Sequence, residues 1–409
     1  MIKKLLAVSA ASLAACAAIF SGCTSSNSNN FSRYRRTYTS FGTYATLVLE
    51  GEFFTDEQKQ VAIDIGAEVE DMLKSFENIF STTVEDSDVC RFNEAAPGDT
   101  VEISGQAYTV LSLALDMYEE TEGYYNAGVY YSVDLYGFAA RPEGVTRPYD
   151  RENTKAQLPD DEYVKAFQTL SQSFADIGLS VNNGRYYAVK PQTTVEVEGV
   201  TYSLAIDLSG IAKGYAVDII DDYIRSEGYD RSSFSYGSSS MAANKTYASD
   251  NGDWLIEIRD PRTSIEDDNT DDDYFMSLYA SDINLSTSGD YENYYIIEDT
   301  RYCHIIDPFT GSPIQTGMVM ANCIGGTAAE ADARTTAIMA MGLDRAIEYI
   351  NSDVVKASGL KITFIYQDSL GEYLLITNIP EGEYNIMRGN YTVACTIDAN
   401  GNVIFTGTR

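Results

Sequence analysis

Residues 327 to 342 read TAAEADARTTAIMAMG, and this stretch limits the fold more narrowly than any other in the chain. Thr327 followed three residues later by Glu330 is a capping box, which starts a helix that the pattern carries to about Gly342. Six of its sixteen residues are alanine, so another element can come close to its backbone. Residues four apart on a helix lie one above the other, so Asp332 and Thr336 present two hard oxygens from one face. Such a pair suits a small divalent cation, and taken alone it fits a solvated helix face as well.

A second stretch, IDLSGIAKGYAVDII (206 to 220), runs from a short apolar strand through Gly210 and Gly214 into a helix with Ala216, Val217, Ile220 and Ile224 along one side. The glycines permit close backbone approach, helix-terminal amides attract an anion, and Lys213 can neutralise one charge. It is neither a Walker loop nor a GxGxxG, and a plain turn ahead of a helix has the same form. Elsewhere helix and strand patterns alternate. Residues 55 to 80 open with a Thr55/Gln58 capping box and place Val61, Ile65, Met72, Phe76 and Phe80 at helical intervals, and residues 104 to 121 repeat that periodicity. TYATLVLEG, TVEVEGVTYSL, WLIEIRDP and LKITFIYQD read as strands, and the closing GNYTVACTIDANGNVIFTG as a hairpin turning near Asn400-Gly401. The mixed order predicts an α+β fold. Polar runs at 141 to 165 and 264 to 274 read as surface insertions. The acidic spacing of the second matches no calcium loop.

The first residues, MIKKLLAVSAASLAACAAIFSGC, are a Lys-Lys start, a short apolar run and small residues directly before Cys23. This is the pattern of a lipoprotein signal peptide over residues 1 to 22, with Cys23 the lipidated first residue of the mature chain. Residues 23 to 38 then read as a polar tether, and 39 to 409 as one large domain, so the sequence predicts an extracytoplasmic protein held to the membrane by lipid alone. The formal charge is −33, and removing Lys3 and Lys4 makes it more negative by two. A nucleic-acid partner is excluded on that ground, and an anionic substrate would need a local cationic centre, which a metal can supply. Beyond Cys23, Cys90, Cys303, Cys323 and Cys395 show no CxxC spacing, so zinc is not indicated, and their pairing cannot be read from sequence.

The single histidine of the chain, His304, stands in RYCHIIDPFTGSPI (301 to 314). Asp307-Pro308 and Thr310-Gly311 are turn chemistry that would hold a strand end rigidly, and an imidazole there could take a proton from an incoming hydroxyl; a structural role is equally open on the residues alone. Read in order, SFGTYATL, IFSTTVEDSDVCRFN, GYYNAGVYYSVDLYGF, DLSGIAKGYAVD, STSGDYENYY, HIIDPFTG and AEADARTTA together resemble the ApbE family, the FAD:protein FMN transferases, over residues 39 to 350. The strands of 351 to 409 lie beyond the resemblance.

The resemblance implies a single T-fold-like domain and a magnesium-dependent transfer of FMN from FAD to a threonine of an extracytoplasmic acceptor protein, with release of AMP. It puts the Mg2+ ligands on Asp332, Thr336 and the main-chain carbonyl of Gly210, with Thr335 an adjacent oxygen. The flavin-contacting positions fall on Phe41, Thr83, Tyr124, Tyr125, Asn126, Asp207, Lys213 and Ile306, and His304 becomes the candidate base. Phe41 stands where the family commonly has methionine, Thr83 where it has tyrosine, and Asn126 where it has aspartate. Two other functions share the same residues: hydrolysis of FAD to FMN and AMP, and flavin binding without catalysis.

Overall fold

The computed structural model describes residues 19–24, 30–140, 158–237, 239–262 and 273–407. Both runs expected to be surface insertions, 141 to 165 and 264 to 274, lie largely outside those residues.

Ten strands form one sheet whose spatial order follows the chain: β1 (Ile19–Thr24), β2 (Asn30–Ser40), β3 (Thr43–Gly51), β4 (Ser232–Tyr236), β5 (Ser240–Ala243), β6 (Ile283–Gly289), β7 (Met318–Ile324), β8 (Lys361–Gln367), β9 (Tyr373–Thr377) and β10 (Tyr391–Val393). Neighbours are antiparallel except β9 and β10, which run parallel. Three helices pack on one face, α1 (Asp56–Phe80), α3 (Ser209–Ser226) and α4 (Ala328–Ile350), and α2 (Gly105–Glu120) lies against α3 and α4. A small sheet made of Trp254–Arg259, Tyr274–Ala280 and Asn385–Ile386 covers the β5 to β9 half of the other face, with Ile256, Ile258, Phe275 and Met276 against Val319, Met320 and Ile365. Strand β7, sandwiched between the layers, is buried along its whole length, which is why MVMANCI shows no polar alternation.

The expected helices and the α+β class are present, and both capping boxes form. Five expectations change. Val61 is 48% exposed, because Ala62, Ile65, Val69, Leu73 and Phe76 make the buried stripe of α1. TVEVEGVTYSL is a hairpin of two short strands, Thr194–Val197 and Val200–Ser203, since Glu198 and Gly199 take left-handed φ values of 51° and 77°. The apolar residues before α3 are not a strand, and residues 351 to 409 include a helix, Asp353–Ser358, besides their strands. The polar tether predicted for 23 to 38 does not hold from residue 30 onward. There Phe31, Tyr34 and Tyr38 are buried, and β2 pairs along its length with β3. Arginines, serines and threonines between those aromatics lowered the apolar content, but side chains alternate across a strand, so Tyr34 and Tyr38 share the face that reaches the core while Phe31 packs on Tyr247.

Helices α3 and α4 meet almost backbone to backbone. A Cβ on Gly214 would lie 2.2 Å from the Ala328 carbonyl oxygen. Asp218, one turn on, accepts the free amides of Ala328 at 2.7 Å and Ala329 at 2.9 Å and so closes the start of α4. On the far side of α4, buried Arg334 makes two bonds to Glu120 of α2, at 2.8 and 2.9 Å. About two turns before its end α4 kinks at Gly342, whose φ of 69° only glycine takes without strain, where the sequence pattern ends the helix.

The contact at Gly214 is testable. Gly214→Ala should destabilise the protein by ~2 kcal/mol or more in denaturant melts, because overpacking between two backbones has no flexible side chain to give way. An unchanged midpoint would show that the helices separate freely.

Candidate active site

A cavity of about 350 Å3 opens where the N-terminus of α3, the first turns of α4, the β2–β3 turn and the segment 287 to 308 converge. Of the residues singled out from sequence, Phe41, Tyr124, Tyr125, Asn126, Asp207, Gly210, Lys213, His304, Ile306, Asp332 and Thr336 line it. Thr83 does not. The Ser81 hydroxyl accepts the amides of Thr83 and Val84 at 3.1 Å and pairs with the Thr83 hydroxyl at 3.1 Å, which folds that side chain back into its own turn; Ser81 and Thr82 face the cavity instead. Cys23 lies in edge strand β1, outside the cavity lining.

The acidic corner is built by α3 and α4 together. Asp332 is buried, with Oδ1 accepting from the Ser286 hydroxyl at 3.1 Å and Oδ2 from the Gly214 amide at 3.3 Å. A regular helix gives that amide to the Gly210 carbonyl, so the carboxylate competes for the carbonyl's donor. Lys213 Nζ stands 3.9 Å from Asp332 and donates to Ser209 O at 2.8 Å. A methyl on Gly210 would lie 3.5 Å from the Thr336 hydroxyl oxygen, so Gly210 and Thr336 flank one point. Thr335, the adjacent oxygen, faces away: it is fully buried and pairs with the Ser288 hydroxyl at 2.9 Å. The corner therefore offers a carboxylate, a hydroxyl and a main-chain carbonyl, hard oxygens with one negative charge among them, which is the donor chemistry Mg2+ takes while keeping sites for substrate. Among the described residues no group of three or more His, Cys, Asp or Glu side chains is placed to hold a metal, so a softer ion has no competing site there.

The start of α3 adds the opposite sign. Asp207 Oδ1 takes the Ser209 amide at 2.8 Å, while Ser209, Gly210 and Ala212 remain on the cavity wall with the positive end of the helix dipole. Asn126 lines the wall, but both its side-chain groups are engaged, Nδ2 with Ser171 O at 3.0 Å and Oδ1 with the Gly128 amide at 2.7 Å. An amide can make both bonds at once, whereas a carboxylate could only accept. Phe41 occupies the β2–β3 turn with a left-handed φ of 48°, held there by Glu77 of α1, which accepts its amide and the Ser40 hydroxyl.

His304 is fixed by its own amide, which donates to Asn293 O at 2.9 Å, and its Nδ1 is buried with no partner among the described residues. Burial, helped by the Lys213 ammonium, pushes its pKa from 6.5 down to about 4. The imidazole is thus neutral at pH 7 and has a free lone pair or proton at the cavity. Glu292 and Asn293 were missed as site residues. They belong to the stretch STSGDYENYY, which entered the family resemblance without showing which of its side chains turn inward. Burial first, then the Asp332 charge, raise the Glu292 carboxyl. Cys90, Cys303, Cys323 and Cys395 are all free thiols.

The sequence matches the ApbE family over residues 41–358. The chain belongs to the ApbE family. Among family relatives, the FAD:protein FMN transferase of Vibrio cholerae serotype O1 is 29% identical over 315 residues, 75% of this chain and 81% of that protein. The FAD:protein FMN transferase of Klebsiella pneumoniae is 28% identical over 368 residues, 88% and 93% of the two chains. The solved flavin transferase ApbE from Vibrio cholerae superposes with a TM-score of 0.63 at 23% identity, covering 88% of this chain and 97% of its own. The ApbE protein of Thermotoga maritima gives 0.63 at 24%, with 82% and 94% covered. These structures share the α+β fold described above.

Because this is the chain's one histidine, its proton resonances report the site directly. They should titrate with a midpoint near 4 in the folded protein, not near 6.5. The unfolded chain binds that proton at the higher value, so this group should take stability away as pH falls from 6.5 toward 4. A midpoint at 6.5 would place the ring in water.

Proposed function

We propose that this chain transfers the FMN part of FAD to a threonine hydroxyl of another protein and releases AMP. The family relatives support flavin transfer from FAD to protein. The observation that carries the detailed reading is the meeting, in one cavity, of a neutral imidazole with an unpartnered nitrogen, an oxygen corner fitted to Mg2+, and the cationic start of α3 with Lys213.

The acceptor hydroxyl is a poor nucleophile until a base takes its proton, and His304 is the neutral base the cavity offers. The hydroxyl oxygen forms a bond to the FMN phosphorus, the bond from that phosphorus to the bridging oxygen breaks, and AMP leaves with the electron pair. The proton goes to His304, and the product is a phosphodiester-linked flavin. The pyrophosphate brings negative charge beside the ring, which favours the imidazolium and lifts its basicity toward the working range. Lys213 and the α3 amides offset charge on the leaving phosphate. Asp332, Thr336 and the Gly210 carbonyl would hold Mg2+, which supplies Lewis-acid stabilisation of the pyrophosphate oxygens. Phe41, Tyr124 and Ile306 give the apolar wall against which a flavin ring can lie.

We place the enzyme outside the cytoplasm, anchored at Cys23. Cleavage before Cys23 would remove Ile19–Gly22 of β1 and leave β2 as the sheet edge. Cys23→Ala should shift the protein from the membrane to the soluble fraction or leave it unprocessed; a membrane-bound variant of wild-type mass would overturn the anchor.

The decisive experiment incubates the purified protein with FAD, Mg2+ and extracytoplasmic proteins and reads covalent flavin fluorescence. Free FMN with AMP and no labelled protein would instead indicate a pyrophosphatase. His304→Asn should bind FAD nearly normally while transfer falls about 10²-fold or more. Asp332→Ala should abolish metal-dependent transfer and Thr336→Ala weaken it, since the first removes charge and oxygen and the second only a neutral hydroxyl. Unchanged magnesium dependence in folded Asp332→Ala protein would move the metal elsewhere.

A further inference from the structure

Tyr125 holds a hydroxyl that the folded chain leaves unused. The residue is 2% exposed and its ring lines the cavity, yet its hydroxyl oxygen has no hydrogen-bond partner among the described residues. Buried tyrosine hydroxyls normally find a partner, and an unpaired one lowers stability. The position is fixed from behind, because the Tyr125 amide donates to the Thr121 hydroxyl at 2.9 Å. Its ring edge reaches the acidic corner: a methyl on Gly210 would lie 3.5 Å from Tyr125 Cε2 and 3.5 Å from Thr336 Oγ1. The carboxylates of Asp332 and Asp207 are the charges nearest the phenol, and neither accepts its proton. A phenol is protonated at neutral pH, so it can serve as a donor.

A donor in that place needs an acceptor that arrives with the ligand. The flavin ring system would stack on the face of a tyrosine, whereas the edge of this ring lies beside the corner where Gly210, Thr336 and the start of α3 converge. Anionic oxygens are what a helix N-terminus and an adjacent cation draw in. We propose, resting on the transferase reading above, that the Tyr125 hydroxyl donates to a pyrophosphate oxygen of FAD, so that Tyr125 serves the phosphate end of the substrate and not the flavin wall. The same bond persists or strengthens as charge gathers on the leaving phosphate, which makes Tyr125 a substrate-contacting residue of the reaction.

Tyr125→Phe keeps the ring and deletes only the hydroxyl. Binding of FAD, ADP and riboflavin, each with Mg2+, would be measured by calorimetry on wild type and variant, together with thermal midpoints with and without FAD. The variant should bind FAD and ADP about tenfold more weakly or worse, as expected for loss of a hydrogen bond to a charged group, and riboflavin equally well. Without ligand its midpoint should equal or exceed that of wild type, since an unpaired buried hydroxyl has been removed; with saturating FAD the order should reverse. A purely structural role would lower the ligand-free midpoint. Unchanged FAD and ADP affinity, or an equal loss for FAD and riboflavin, would overturn the assignment. Wild-type protein that binds neither FAD nor ADP would overturn the transferase reading itself, a result distinct from failure of the tyrosine alone.

Discussion

The contact between α3 and α4 is the constraint on which the site depends. It requires hydrogen in place of a side chain at Gly214 and small residues at Ala328 and Ala329, and Asp218 locks it by accepting the two amides at the start of α4. Burial pushes the Asp218 carboxyl up to about 6 even though those amides favour its charged form, so the lock carries a desolvation cost that the close packing offsets. With the helices at that distance, Lys213 and Gly210 on one and Asp332 and Thr336 on the other face the same cavity. A wider crossing would leave two unrelated polar patches.

The surrounding layers hold that pair in place from three sides. Arg334 ties α4 to α2 through Glu120, with the Tyr349 hydroxyl donating to the same carboxylate at 2.6 Å. Glu77 of α1 holds the β2–β3 turn in the left-handed geometry that turns Phe41 toward the cavity. On the opposite side Arg262 grips Asp290 with bonds of 2.8 and 3.2 Å, steadying the loop that carries Glu292 and Asn293, and Asn293 in turn anchors the backbone of His304. Rigid support of this kind matters where chemistry needs reacting groups held in register.

Electrostatics divide the cavity between one cationic group with a helix N-terminus and several carboxylates. A chain of net charge −33 repels anions at long range, and within the cavity the helix α3 N-terminus and Lys213 stand among the carboxyl groups of Asp207, Glu292 and Asp332. Among the described residues Asp332 has no cation closer than 3.9 Å, so its charge is met mainly by a hydroxyl and an amide. That is a site completed by a divalent cation and a phosphate arriving together, each needing the other.

Much of this was legible in the residues. Both capping boxes, the helical periods of α1 and α2, and the α+β order follow from local rules that act within one or two turns. The ordered motifs carried the family and nearly every cavity residue. What they could not carry depended, for all but Thr83, on contacts between distant segments. Thr83 fell out of the site because Ser81 captures its turn, Thr335 because Ser288 on β6 pairs with it, and Asn126 became a brace because Ser171 lies across from it. Strand β2 was hidden by its arginines and threonines until pairing with β3 showed which side faced inward. The sequence determined which oxygens, nitrogens and small side chains are present and at what local spacing. Only the tertiary structure decided which of them are left unpaired at the cavity, because hydrogen-bond saturation and burial are set by neighbours tens to hundreds of residues away.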